Sequence, residues 1–175
     1  MNYFQHFLDQ EKVSHWLQYF CRPGIKWERE SFQIYGRKVS VPRQLVWFGD
    51  KELNYRYTGI DHIGAGWPPE IFELKSMVEE RCHSKFNFLL VNRYQNGEDY
   101  MGWHRDNEKN AKSQIASLSL GARRKFCIKL EDSKIDYWLD SGSLLMFDGY
   151  LEHRLPKMLG MNELRINLTF RDLII

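Results

Sequence analysis

Arg165-Ile166-Asn167-Leu168-Thr169-Phe170-Arg171 is the stretch on which the reading of this chain turns. Side chains alternate faces along a strand, so Ile166, Leu168 and Phe170 share one face while Arg165, Asn167, Thr169 and Arg171 share the other. A solvated edge strand would also be half polar, but its wet face would mix Lys, Glu and Ser. Here the polar face carries two guanidiniums, a carboxamide and a hydroxyl, with no carboxylate on the strand to pair them. Arginine meets carboxylates through a planar fork of donors, so this face suits a dianion.

Short apolar runs recur upstream: Phe86–Tyr94 (FNFLLVNRY), Ile115–Leu120 (IASLSL), Arg124–Leu130 (RKFCIKL) and Ser143–Phe147 (SLLMF), with turn formers at Asn96-Gly97, Gly121 and Gly142. Five short strands in one half of a small chain predict a sandwich or barrel. The N-terminal half reads differently. Phe4, Phe7, Leu8, Val13, Trp16, Leu17 and Phe20 fall at roughly helical spacing, which predicts an amphipathic helix or helix pair over 1–21. A second helix is expected after Trp67, with Pro68-Pro69 in its first turn and Ile71, Leu74, Met77 and Val78 on its apolar face. Residues 27–60 read as hairpins. The expected class is α+β, predominantly β in its core.

At 175 residues the chain is one domain's worth, and 43% apolar with 27% charged residues is ordinary globular composition. A net charge of +2 does not by itself declare a polyanionic partner. The basic clusters Arg37-Lys38 with Arg43, Arg123-Arg124-Lys125 and Arg154 with Lys157 read first as solvated surface. Cys21, Cys82 and Cys127 are scattered without a CxxC pair, which suggests neither a zinc knuckle nor a disulfide framework. The N-terminus is too polar and acidic for a targeting peptide, and no apolar run is long enough to span a bilayer. A soluble, intracellular, monomeric protein without a membrane partner is expected.

Three pieces carry chemistry. His104-Arg105-Asp106 is a common kind of triplet, and His153, after SLLMF and its Asp148-Gly149 turn, could equally be structural. The third piece is the donor-rich strand. Taken together they acquire a meaning none has alone. Two histidines and one aspartate form the facial set that holds non-haem Fe(II) and leaves positions open. A 2-oxo acid chelates two of these, O2 takes the last, and the far carboxylate of 2-oxoglutarate then needs a cation inside the barrel. Extended HRD would present His104 and Asp106 to one side.

The order Asn92-Arg93-Tyr94, His104-x-Asp106, GSLLMF, His153 and Arg165-x-Asn167-x-Thr169-x-Arg171 resembles the AlkB family of Fe(II)/2-oxoglutarate dioxygenases, over roughly residues 34–175. The resemblance is to the duplex-DNA-acting members. It implies a double-stranded β-helix (jelly-roll) over 86–175, with helices and nucleotide-recognition hairpins over 1–85. It implies Fe(II) on His104, Asp106 and His153, and 2-oxoglutarate on Arg165, Asn167, Thr169 and Arg171 with Asn92 and Tyr94. The implied activity is oxidative dealkylation of N-alkylated bases such as 1-methyladenine and 3-methylcytosine in DNA repair, with succinate, CO2 and an aldehyde released. Tyr35-Gly36-Arg37 resembles the family's substrate-gripping hairpin, Tyr55-Arg56-Tyr57 a segment lining the base pocket, and Asn107-Glu108 a base-reading pair. Trp103 is a further candidate pocket wall. Two departures bear on duplex binding: Asn107 stands where duplex specialists often carry Asp, and Leu155-Pro156-Lys157-Met158-Leu159 lacks their basic run. The expected partner is alkylated DNA, single- or double-stranded. The alternatives are RNA, or a protein or small-molecule substrate taken by a related oxygenase.

Overall fold

Both faces of Arg165–Arg171 are buried, because the strand lies inside a six-stranded antiparallel sheet and not at its edge. The computed structural model describes all residues except 30, 35–36, 58–59, 107–109 and 175. For 32–34, 37–40, 55–57 and 60–62 it describes the backbone alone. In chain order the elements are β1 (Asn2–Phe4), α1 (Gln10–Cys21), β2 (Ser31–Ile34), β3 (Arg37–Ser40), β4 (Gln44–Gly49), β5 (Asn54–Tyr57), β6 (Ile60–Ile63), α2 (Pro69–Cys82), β7 (Phe88–Tyr94), β8 (Met101–His104), β9 (Gln114–Gly121), β10 (Arg124–Lys129), β11 (Lys134–Leu139), β12 (Leu144–Asp148), β13 (His153–Leu155) and β14 (Arg165–Arg171).

The large sheet runs β1-β12-β9-β14-β7-β4 and the smaller one β11-β10-β13-β8. Both helices pack on the outer face of the large sheet. Val13, Trp16 and Phe20 of α1 and Ile71, Leu74 and Val78 of α2 bury themselves against Leu89, Val91, Leu118, Leu120, Ile166, Leu168 and Phe170. Between the sheets a second cluster forms from Ile115, Ile128, Leu139, Leu145 and Phe147. A sheet covered on both faces explains why β7 and β14 are buried along almost their whole length. The architecture is the expected predominantly β jelly-roll braced by helices.

Two local differences from expectation have clear causes. Residues 2–4 are not helical: they add β1 to the edge of the large sheet, with Tyr3 opposite Leu145. The helix starts only at Asp9, whose carboxylate accepts from the Lys12 backbone N–H and so caps a first-turn donor. The second helix starts as expected at the Pro68-Pro69 pair, and it ends at His83 in the left-handed conformation. At the β9–β10 turn, Gly121 has φ +81°, and a Cβ there would run into the Leu164 carbonyl. That is a position for glycine alone.

Glu79 ties α2 to the sheet. Its side chain is 7% exposed, pairs with Lys75 at 2.7 Å and Lys85 at 2.9 Å, and accepts the Phe86 N–H at 2.9 Å. Burial alone would raise its pKa, but these partners together hold it below the usual 4.5. A depressed carboxylate stabilises the fold above its unfolded pKa, and that stability is lost as pH falls through the folded value. Glu79→Gln is therefore expected to cost ~1–3 kcal/mol at neutral pH. The gap to wild type should close in acid, as read by urea unfolding from pH 7 down to pH 3.

Candidate active site

The register of the small sheet creates the centre of the site. β13 pairs antiparallel with β8 so that His153 stands directly opposite His104, and their ring centroids lie 4.2 Å apart. Asp106 follows two residues after His104, and its backbone N–H donates to the Gly149 carbonyl at 2.8 Å. Gly149 lets that turn come close, since a Cβ there would sit 3.2 Å from the Asp106 Cβ. One ligand atom from each of His104, Asp106 and His153 falls within 4.8 Å of the others.

The protonation pattern follows from the partners. Nδ1 of His104 faces the Gly102 carbonyl at 2.9 Å, and Nδ1 of His153 faces the Leu151 carbonyl at 2.7 Å. A carbonyl only accepts, so in both rings Nδ1 carries the hydrogen and Nε2 keeps a lone pair in the neutral state. Both Nε2 atoms turn to the Asp106 carboxylate, at 3.7 and 3.6 Å, too far for hydrogen bonds. Burial first, and then the neighbouring His153, push the His104 pKa down, which favours the neutral, ligating form. Burial would raise the Asp106 pKa. Arg171, whose Nη2 donates to Oδ2 at 2.8 Å, and the two histidines outweigh it and hold the carboxyl well below the usual carboxylate range. Two imidazole Nε2 atoms and a carboxylate converging in this way fit a divalent iron with open positions.

The inner face of β14 supplies the opposite wall. Arg165, Asn167, Thr169 and Arg171 line the same pocket as the three ligand groups, together with Asn92 and Tyr94 of β7, so the nine residues expected to hold iron and co-substrate are brought together. One detail differs from the sequence reading. The strand itself has no carboxylate, but Asp106 reaches Arg171 across the pocket. Arg165 has no such partner. It is 1% exposed, its Nη2 donates to Ser119 Oγ at 3.0 Å, and its Nε and Nη1 have no acceptor among the described residues. Burial lowers its pKa to about 10, which leaves it charged at neutral pH. A buried cation with orphaned donors is costly unless a ligand satisfies it, and a carboxylate is the group that fits.

Beside Arg165 a polar chain runs from Arg43, just before β4, across the three strands β7, β14 and β9. Arg43 Nε donates to Asn92 Oδ1 at 2.6 Å, Asn92 Nδ2 faces Thr169 Oγ1 at 3.5 Å, Thr169 Oγ1 donates to Asn167 Oδ1 at 3.4 Å, and Asn167 Nδ2 donates to Ser117 Oγ at 2.8 Å. Arg43, Leu90, Met101, Ser117, Phe126 and Phe147 also line the pocket, and the sequence reading missed all of them as site residues. Arg43 was read as part of a surface cluster, yet it is 3% exposed. Its signal was the alternation Arg43, Leu45, Trp47 leading into β4. Arg124 is likewise fully buried, donating to the carbonyls of Asn96, Asp99 and Pro156. Trp103 does not line this pocket. It lies on the other side of the small sheet, with Lys129 Nζ and the Arg154 guanidinium each 4.5 Å from its ring centroid. Tyr35, Gly36, Asn107 and Glu108 lie outside the described residues, as do the side chains of Arg37, Tyr55, Arg56 and Tyr57. Their backbones, where described, form the β2–β3 and β5–β6 hairpins.

The family model described as "2OG-Fe(II) oxygenase superfamily" matches residues 1–171. The mouse protein named DNA oxidative demethylase ALKBH2 is 35% identical over 158 residues, covering 81% of this chain and 66% of its own. The bovine alpha-ketoglutarate-dependent dioxygenase alkB homolog 3 is 33% identical over 183 residues, covering 94% and 63%. The chain thus spans just under two thirds of the length of these relatives. A crystal structure of an oxidoreductase of the 2OG-Fe(II) oxygenase family from Burkholderia pseudomallei covers 95% of this chain and 81% of its own at TM-score 0.66 and 12% identity, a likeness of fold. The chain belongs to the 2OG-Fe(II) oxygenase superfamily and, within it, to the AlkB family.

Proposed function

We propose that this protein removes alkyl groups from N-alkylated nucleic-acid bases by oxidation, acting on DNA and using Fe(II), 2-oxoglutarate and O2. The observation that carries the reading is the opposition, across one pocket, of three converging ligand groups and the buried, partly unpartnered guanidinium of Arg165. When bound, iron and 2-oxoglutarate supply the oxidising chemistry: the co-substrate and O2 become succinate and CO2 while an N-alkyl carbon gains oxygen and leaves as aldehyde.

The chain's own groups hold and orient. His104 and His153 offer Nε2 lone pairs, each ring fixed through its Nδ1–H, and Asp106 stays ionised because Arg171 pairs with it. Arg171 is committed to Asp106, so Arg165 is the residue assigned to the far carboxylate of 2-oxoglutarate. Asn92, Thr169 and Asn167 keep the wall between them polar and fixed. Phe126 and Phe147 close around His153, with ring centroids at 5.5 and 5.0 Å, and keep that side of the pocket dry. Among the described residues no nucleophile paired with a general base lines the pocket, in keeping with oxidation rather than hydrolysis.

The nucleic-acid part of the reading rests on the relatives named DNA oxidative demethylase and on the β2–β3 hairpin, which leads in the chain to the pocket. β3 ends at Ser40, three residues before pocket-lining Arg43. Chemistry on a base needs the nucleotide out of its stack, and a methyl group that blocks pairing makes extrusion easier. The test is a panel of 1-methyladenine and 3-methylcytosine oligonucleotides, as single-stranded DNA, duplex DNA and RNA, with formaldehyde and succinate both quantified. Formaldehyde matching succinate on DNA supports the proposal; succinate without formaldehyde on every oligonucleotide points to another substrate class.

A further expected outcome concerns Tyr35, which falls in the sequence between β2 and β3. An aromatic ring filling the gap left by a flipped base recovers stacking of roughly 1–3 kcal/mol. Tyr35→Ala should slow duplex repair by roughly tenfold or more and spare single strands, where no neighbouring stack must be held open. Equal losses on both substrates would mean that Tyr35 only packs.

A further inference from the structure

The strand that carries His104 also turns a methionine into the pocket, against the usual alternation. Met101 and His104 are three residues apart, so in a regular strand they would face opposite ways. Here the pairing of β8 with β13 slips: His153 stands opposite His104, but Leu155 stands opposite Met101, so the interval on β8 is one residue longer than on β13. Such a bulge re-aims side chains, and both Met101 and His104 line the pocket. The Met101 thioether is held there by Arg43, whose Nη1 donates to Sδ at 3.0 Å. The same guanidinium donates through Nε to Asn92, across from β14. Of the chain's six methionines, Met101 is the one that lines this pocket, whereas Met1 is 50% exposed.

A thioether is a soft, polarizable group that accepts one oxygen atom to give a sulfoxide. We propose that Met101 is a self-oxidation site: when no base occupies the pocket, turnover of 2-oxoglutarate delivers its oxygen to the Met101 sulfur. This rests on the reading of the site as an Fe(II)/2-oxoglutarate centre. The step balances without a further reductant. 2-Oxoglutarate loses CO2 and gains one atom of O2 to become succinate. The other atom forms an S=O bond on Met101, and the sulfur lone pair supplies the two electrons that would otherwise come from the substrate carbon. The product places a polar, chiral sulfoxide on the pocket wall beside Arg43.

The experiment is peptide mass mapping of the full chain after incubation with Fe(II), 2-oxoglutarate and isotopically heavy O2, without nucleic acid, with succinate measured in the same tubes. The Met101 peptide should gain one heavy oxygen, several-fold more than the Met1 peptide despite the greater exposure of Met1. Omitting 2-oxoglutarate should abolish the gain, and Met101→Leu should remove it from that peptide and lower the succinate formed without nucleic acid. Succinate formed with Met101 unmodified, Met101 oxidised equally without 2-oxoglutarate, or unlabelled oxygen on the sulfur would each overturn the proposal and leave the reading of the site standing. No succinate at all would overturn both.

Discussion

His104→Ala, Asp106→Ala and His153→Ala are each expected to take succinate and formaldehyde formation below detection, because each removes one of three protein groups that converge on one point. Even changes in groups that merely orient a metal ligand cost ~10–100-fold in metal affinity or activity, so loss of a ligand costs more. The three differ in what they do to the fold. His104 and His153 leave behind no stranded charge. Asp106→Ala leaves Arg171, 5% exposed, facing two histidines without its carboxylate, and uncompensating a buried pair costs roughly 3–5 kcal/mol. Calorimetry should show iron binding lost in all three. Urea unfolding should show a large stability loss in Asp106→Ala and a smaller one in His104→Ala, whose side chain is 26% exposed. Wild-type turnover in any of the three with iron supplied rules out that residue as a ligand.

How much of this was legible in the sequence depends on the length and regularity of each element. β14 announced itself because seven alternating residues carry an unambiguous period, and the sheet around it conserves that alternation: Ile166, Leu168 and Phe170 go to the helices, and Arg165, Asn167, Thr169 and Arg171 to the pocket. Three-residue β1 and β13 and four-residue β8 hold too few residues for a period to emerge, so Phe4 looked helical and His153, taken alone, could equally be structural. Met101 was hidden by a bulge, which depends on the partner strand and not on local sequence. Arg43 and Arg124 were hidden by composition, since arginine is usually solvated. Only the fold shows that one meets Asn92 and the other three backbone carbonyls. The metal triad was legible as a set and not residue by residue. Its protonation state needed the Gly102 and Leu151 carbonyls, which no motif names.

Arg165→Met separates function from stability more sharply than any other substitution in the pocket. In the absence of co-substrate, Arg165 is a fully buried guanidinium with one hydrogen bond to Ser119 and two atoms without an acceptor among the described residues, so the folded protein bears its desolvation largely uncompensated. An apolar side chain of similar length removes that cost and forfeits one ordinary hydrogen bond. The variant is therefore expected to be at least as stable as wild type in urea without 2-oxoglutarate. Its affinity for 2-oxoglutarate should fall by about 1.5–3 kcal/mol for each charged hydrogen bond lost, a factor of roughly ten to a hundred and fifty per bond. Arg171→Met should do the reverse in kind, weakening the fold and iron binding because it strands Asp106. Titrating 2-oxoglutarate against each variant with urea melts in parallel decides it. A destabilised Arg165→Met with unchanged 2-oxoglutarate affinity would mean that the buried guanidinium serves the fold, and the far carboxylate would have to be sought at another group.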